Sequence, residues 1–162
     1  MRKYLYNYCV ILLIAGTVVA IDLFTKQLAG IMLNESTYEV IPHVLTFVFV
    51  KNTGAAFSMF SNSTSLLAGF SILFILIFFV VDYFTKDKNV MYYLGMSFVI
   101  GGAVGNLIDR LSLHYVRDFI SLKLFDFIFN MADFFITIGI ILYAIYLLMC
   151  MVKDKQEADH VK

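Results

Sequence analysis

Four stretches of this chain carry no charged residue: 4–21, 52–81, 89–108 and 134–152. A helix needs about 20 apolar residues to cross about 30 Å of hydrocarbon. Each stretch can supply them, the first by running slightly past Asp22. The second exceeds one span, and its opening part, 52–65, is rich in Gly, Ser and Asn, so its helix is expected at about 66–84. The four helices are expected at about 4–24, 66–84, 90–109 and 133–152, within one domain over 1–162. A soluble protein would need polar sequence to cover four such segments. Only 15% of the 162 residues are charged and 61% are apolar, against about 25% charged in ordinary soluble domains. The net charge of zero provides no bulk field for nucleic acid.

Arg2 and Lys3 ahead of an apolar run, with Val18-Val19-Ala20 inside it, imitate a cleavable signal peptide. The charges just beyond the run look functional, so a retained first helix is expected. Arg2, Lys3, Lys86, Lys88, Lys153 and Lys155 flank the helix ends on one side. The positive-inside rule makes that side cytoplasmic. Both termini are then inside, with a cytoplasmic tail over 153–162. Two connections, about 25–65 and 110–132, lie outside. Residues 44–50 are β-branched and aromatic and read as a strand, with Pro42 just ahead of it. Residues 122–129 read as a second sheet segment, and 54–60 as a short amphipathic helix. The fold class is therefore membrane all-α with a small β part: four transmembrane helices, an extracytoplasmic sheet and a short interfacial helix. Irregular backbone of this kind cannot face lipid and must lie at the interface or on protein.

Polar residues collect at the outer helix ends. Asp22, Thr25 and Lys26 end the first helix, and Asn106, Asp109 and Arg110 follow the small residues Gly101, Gly102, Ala103 and Gly105. Small residues there allow close helix packing, and Asn106 can hydrogen-bond a backbone. Lys26 suits interfacial anchoring. Asp118 and Asp133 do not, because apolar neighbours surround each and Asp cannot snorkel far. Two carboxylates in a low-dielectric pocket cannot easily both ionise, so such a pair holds one proton. That state suits peptide hydrolysis: one carboxylate takes a proton from water while the other donates to the carbonyl oxygen. The two can meet only if the connection between Arg110 and Asn130 folds back onto the fourth helix. No metal and no cofactor is expected, since His43, His114 and His160 are scattered. Cys9 and Cys150 read as packing residues rather than a disulfide.

These residues resemble a family. Asp22 with Thr25 and Lys26, the run from Asn52 through Thr53 and Gly54 to Ser58, Gly105-Asn106-Leu107-Ile108-Asp109-Arg110, Asp118-Phe119 and Phe129-Asn130-Met131-Ala132-Asp133 stand in the order seen in bacterial lipoprotein signal peptidases. The resemblance runs from about residue 15 to residue 140. It implies four membrane helices, a β-cradle and a short helix over the active site. It implies Asp118 and Asp133 as the catalytic aspartates of an aspartic endopeptidase. Asn52, Gly54, Asn106, Arg110 and Asn130 would bind substrate, with Asp22, Lys26 and Asp109 in support. The implied substrate is a prolipoprotein with a diacylglyceryl-modified Cys, cleaved just before that Cys by a monomer in the bacterial cell membrane. Membrane lipids would be its surroundings and the cyclic peptide globomycin its inhibitor. Arg117, Phe134 and Ile128 depart from the family's common residues and bear on substrate and inhibitor preference. The rival from another class is a small carboxylate-coupled transporter. Against it, the polar residues gather at one rim rather than at the midplane, where transport sites lie. The Gly-x-Gly-Asp tetrapeptide of another intramembrane aspartyl protease type is absent.

Overall fold

The computed structural model describes residues 2–33, 36–54, 63–124 and 127–160, with side chains described between 7 and 156. Within them the order is α1 (Arg2–Met32), β1 (Thr37–Ile41), β2 (Leu45–Asn52), α2 (Thr64–Phe84), α3 (Val90–Leu113), β3 (Val116–Leu122), β4 (Phe127–Phe129) and α4 (Met131–His160). All four helices contain a segment long and apolar enough to cross a membrane: Asn7–Met32, Thr64–Phe84, Val90–Leu113 and Met131–Gln156. The expected interfacial helix at 54–60 lies outside the described residues after Gly54.

α3 is the axis of the bundle, and its small residues make it so. A Cβ at Gly101 would lie 2.7 Å from Val18 Cβ of α1, and one at Gly102 would lie 2.5 Å from the Ala132 carbonyl oxygen of α4. A Cβ at Gly139 of α4 would lie 2.8 Å from the Gly95 carbonyl oxygen. Without side chains at these points the backbones approach closely, and dispersion contacts replace the hydrophobic drive that lipid does not supply. Below this contact Ile11, Ala15, Tyr92, Met96, Ile100 and Tyr146 form the buried core of α1, α3 and α4. Cys150 packs at its edge. Cys9 is exposed on α1, so the expected packing role applies to Cys150 alone.

α2 is tied to the others by polar contacts near its end. The buried Asp82 carboxylate accepts from Tyr8 Oη and Tyr92 Oη, both at 2.7 Å, and pairs with Lys88 Nζ at 2.8 Å. Lys88 is thus a structural partner as well as a flanking charge.

The sheet has the order β1-β2-β3-β4, antiparallel throughout. It differs from the expectation in two ways. β1 did not stand out, because its five exposed residues include Glu39 and Thr37 and show no burial alternation. Pro42 lies in the β1–β2 turn, where Val44 N–H donates to the Ile41 carbonyl at 3.0 Å and His43 takes φ 60°. The segment 122–129 is not one strand: Leu122 ends β3 and stands opposite Phe127, which opens the antiparallel β4. β3 carries Asp118.

Three helices also outrun their expected ends. α1 continues to Met32 because Lys26 is neutralised within the helix by Asp22 at 2.7 Å, so the charge pair does not stop it. α3 continues to Leu113, closed by His114 at φ 63°. α4 extends to His160, so the described part of the expected tail is helical. The added turns of α1 dock the sheet through Ala29, Leu33 and Phe119. Burying a side chain such as Phe119 stabilises by about 1.5–3 kcal/mol.

Candidate active site

Side chains alternate across a strand, and β3 uses both faces. Val116 and Asp118 line a cavity of about 120 Å³, together with Asn52, Asn106, Arg110, Asp133, Phe127 and Ile128. Phe119, on the other face, packs against α1, and Arg117 reaches Asp109 of α3. A larger groove of about 440 Å³ runs between α1 and the sheet, but Leu28, Ala29, Met32, Phe47 and Phe119 make its wall apolar. Thr25 and Tyr38 are the polar side chains among its described lining residues, which include no carboxylate. The small cavity has Asp118 and Asp133.

Asp118 sits on β3 and Asp133 in the first turn of α4, and the fold brings both to this cavity. Asn130 joins them. It precedes α4 and closes a reciprocal cap: Asp133 N–H donates to Asn130 Oδ1 at 3.1 Å, and Asn130 N–H donates to Asp133 Oδ2 at 3.3 Å. Its remaining amide group, Nδ2, donates to Asp118 Oδ1 at 2.6 Å.

Two further asparagines repeat the pattern. Asn52 Oδ1 accepts from Gly54 N–H at 2.9 Å, which leaves Nδ2 to donate to Asp118 Oδ2 at 2.8 Å. Asn106 Oδ1 accepts from Lys26 Nζ at 2.8 Å, which leaves Nδ2 to donate to Asp133 Oδ1 at 2.8 Å. An amide has one acceptor and one donor end. In all three residues an obligate donor holds the oxygen, so each NH₂ group must face a carboxylate. Burial raises the Asp118 carboxyl first, the nearby Asp133 charge raises it further, and the bonds from Asn52 and Asn130 offset part of this; the result is a pKa of about 6.

The supporting charges lie behind the asparagines. Asp22 and Lys26, one helical turn apart, are both fully buried. Asp22 also accepts from Ala132 N–H at 2.8 Å, so a side chain of α1 caps the start of α4. Gly105 makes room for this: a Cβ there would fall 2.5 Å from Asp22 Oδ2. Asp109, also fully buried, lies 3.5 Å from Lys26 Nζ and takes three bonds from Arg117, through N–H, Nε and Nη2. Arg110 lines the cavity, and its buried Nε has no hydrogen-bond partner among the described residues.

Every site residue expected from the sequence is therefore at the cavity or in the layer behind it. Gly54 contributes its N–H rather than a side chain. Two things were missed. Asp22 acts on α4, a contact 110 positions away that has no local signal. Arg117 appeared only as a departure, although an acidic residue eight positions earlier was available as its partner.

A family profile described as signal peptidase (SPase) II matches residues 14–149. The lipoprotein signal peptidase of Caldanaerobacter subterraneus subsp. tengcongensis is 39% identical over 134 residues, covering 81% of this chain and 90% of that protein. That of Enterococcus faecalis is 36% identical over 143 residues, covering 85% and 86%. Two solved structures described as a bacterial membrane enzyme are similar at TM-scores of 0.73 and 0.72. They are 36% and 35% identical, and cover 86% and 85% of this chain and 87% and 92% of their own.

Proposed function

This chain belongs to the signal peptidase II family, a multi-pass membrane protease of lipoproteins, and on that footing we propose that Asp118 and Asp133 form its catalytic dyad. The observation that carries this reading is the set of three asparagine amides aimed at two carboxylates in one cavity. The dyad holds one proton. Its ionised member takes a proton from a water whose oxygen attacks the scissile carbonyl carbon, while its protonated member donates to the carbonyl oxygen. Collapse of the tetrahedral intermediate breaks the C–N bond. The nitrogen leaves as an amine carrying the dyad's proton, and the dyad takes up a hydroxyl proton of the intermediate as its C=O re-forms, which restores the one-proton state. Arg110, with a free donor, holds a peptide carbonyl in a fixed geometry that Lys would not reproduce.

The substrate is a prolipoprotein already bearing diacylglyceryl on its Cys, cut just before that residue. Its signal segment and lipid tails remain in hydrocarbon while the peptide reaches the cavity. Purified protein should cleave such a substrate, leave the unmodified precursor intact, and be blocked by globomycin. It should keep its activity in EDTA. Equal cleavage of modified and unmodified precursors would defeat this assignment of substrate.

The enzyme sits in the bacterial cell membrane as a monomer, with both termini in the cytoplasm. Lys86 and Lys88 mark the α2–α3 loop as inside, and the sheet and cavity then face outward. Asp87→Cys and Leu124→Cys, both at exposed positions, should label from opposite sides of intact cells. Labelling of both from outside would overturn the orientation.

The Asp118 carboxyl supplies a pH signature. Its protonated C=O band in infrared difference spectra should disappear around pH 6. Asp133→Asn removes a like charge that raises the Asp118 pKa, so the band should vanish at lower pH in that variant. A midpoint that stayed put would show that the two carboxylates do not interact.

A further inference from the structure

Lys26 has three claimants. Its ammonium lies 2.7 Å from Asp22 Oδ2, 2.8 Å from Asn106 Oδ1 and 3.5 Å from Asp109 Oδ2. Asn106 is the neutral one, and a buried ammonium is drawn to carboxylates over an amide. Two conditions keep it on Asn106. Asp22 is partly satisfied by Ala132 N–H. Asp109 is satisfied by Arg117, whose side chain is only 14% exposed and meets both carboxylate oxygens, through Nη2 at 2.7 Å and Nε at 3.2 Å. Gln27 Oε1 accepts from Arg117 Nη1 at 3.3 Å and steadies the guanidinium from α1.

We propose that Arg117 is a positioning residue of the reaction: paired with Asp109, it leaves the Lys26 ammonium on Asn106, whose amide then points its N–H at Asp133. The inference rests on the dyad proposed above. The charged groups facing this layer are Asp22 and Lys26 from α1, Asp109 and Arg110 from α3, Arg117 and Asp118 from β3, and Asp133 from α4. β2 adds none, since Lys51 lies over the Tyr115 ring, 5.4 Å from its centroid. Behind the dyad two anions, Asp22 and Asp109, balance two cations, Lys26 and Arg117. Loss of Arg117 leaves that layer with an excess negative charge. Lys26 then swings toward Asp109, and Asn106 loses the bond that holds its oxygen away from Asp133. Both changes favour the protonated dyad.

Arg117→Gln tests this, with the pH dependence of prolipoprotein cleavage as the readout. The acid limb of kcat/KM should move up by about one pH unit, with kcat reduced about tenfold and KM nearly unchanged. Arg117→Lys keeps the charge and should hold the limb at its wild-type position. Asp109→Asn combined with Arg117→Gln removes one charge of each sign and should bring the limb back. An unmoved limb in Arg117→Gln overturns the proposal, because a purely structural loss lowers activity without displacing a titration. Should Arg117→Gln fail to insert, Asp109→Asn decides: it removes the anion that Arg117 balances, so its limb should move down, and an unmoved limb there overturns the proposal. Normal cleavage by Asp118→Asn or Asp133→Asn would remove the dyad itself. Inactive dyad variants alongside an unmoved limb would remove only the role of Arg117.

Discussion

Asp118→Asn and Asp133→Asn are each expected to slow prolipoprotein cleavage by about 10²–10⁴-fold in a protein that inserts and folds. The reasoning is geometric. Each carboxylate accepts two hydrogen bonds, Asp118 from Asn52 and Asn130, and Asp133 from Asn106 and the Asn130 backbone. Asn preserves size and one acceptor but cannot exchange a proton within the cycle. The introduced amide must also turn its own N–H groups away from neighbouring donors, which costs one bond rather than the fold. Substrate and globomycin binding should therefore outlast turnover, as equilibrium binding to the purified variants would measure. The double variant should be little worse than either single one, because groups that act as a unit are strongly non-additive. A well-folded single variant that cleaves at the normal rate would end the dyad mechanism.

Lys26→Met should cost the most stability of any single change behind the site. Lys26 is fully buried and is the cation shared by Asp22 and Asp109, themselves fully buried. Removing one partner from a buried ion pair costs about 3–5 kcal/mol, because the remaining charge has neither water nor counter-ion. For a chain of this size that corresponds to a fall in Tm of more than about 6 °C, measurable by thermal unfolding in detergent. Activity should fall as well, since Asn106 loses the donor that orients it. Asp22→Asn should be milder. Its one amide oxygen can still accept from Ala132 N–H, while Lys26 keeps Asn106 and the Asp109 carboxylate, so it should retain more activity than either dyad variant. An unchanged Tm in Lys26→Met would mean that the buried charges are not coupled as the distances require.

The membrane helices were legible because their signal is additive along the chain. Uncharged runs of about 20 residues report a hydrocarbon span without reference to any partner. The aromatic, β-branched run around Phe47 was legible for a similar reason, since strand preference attaches to those residue types themselves. β1 and the antiparallel pair of β3 and β4 were not. Their residues are chosen by the strand opposite, and pairings such as Val50 with Asp118 or Ile120 with Phe129 leave no local pattern. Helix ends behaved likewise: Lys26 reads as a helix-ending charge until its partner Asp22, one turn earlier, is known to be buried beside it.

By itself the sequence determined the four apolar spans, the presence of a small sheet, and the list of polar residues too costly to leave near lipid without a purpose. Composition and spacing suffice for these because the penalty for a charge in hydrocarbon attaches to each residue alone. The tertiary structure decided how those residues are joined. Asp22 caps a helix 110 positions away. Arg117, which stood out only as an oddity, shields Asp109 and so bears on Lys26. Three asparagines take a single amide orientation each because a donor holds every oxygen. Hydrogen bonds and buried ion pairs act over about 3 Å and only with a specified partner. Their sense therefore exists only once the chain has brought α1, α3, β3 and α4 to the same place.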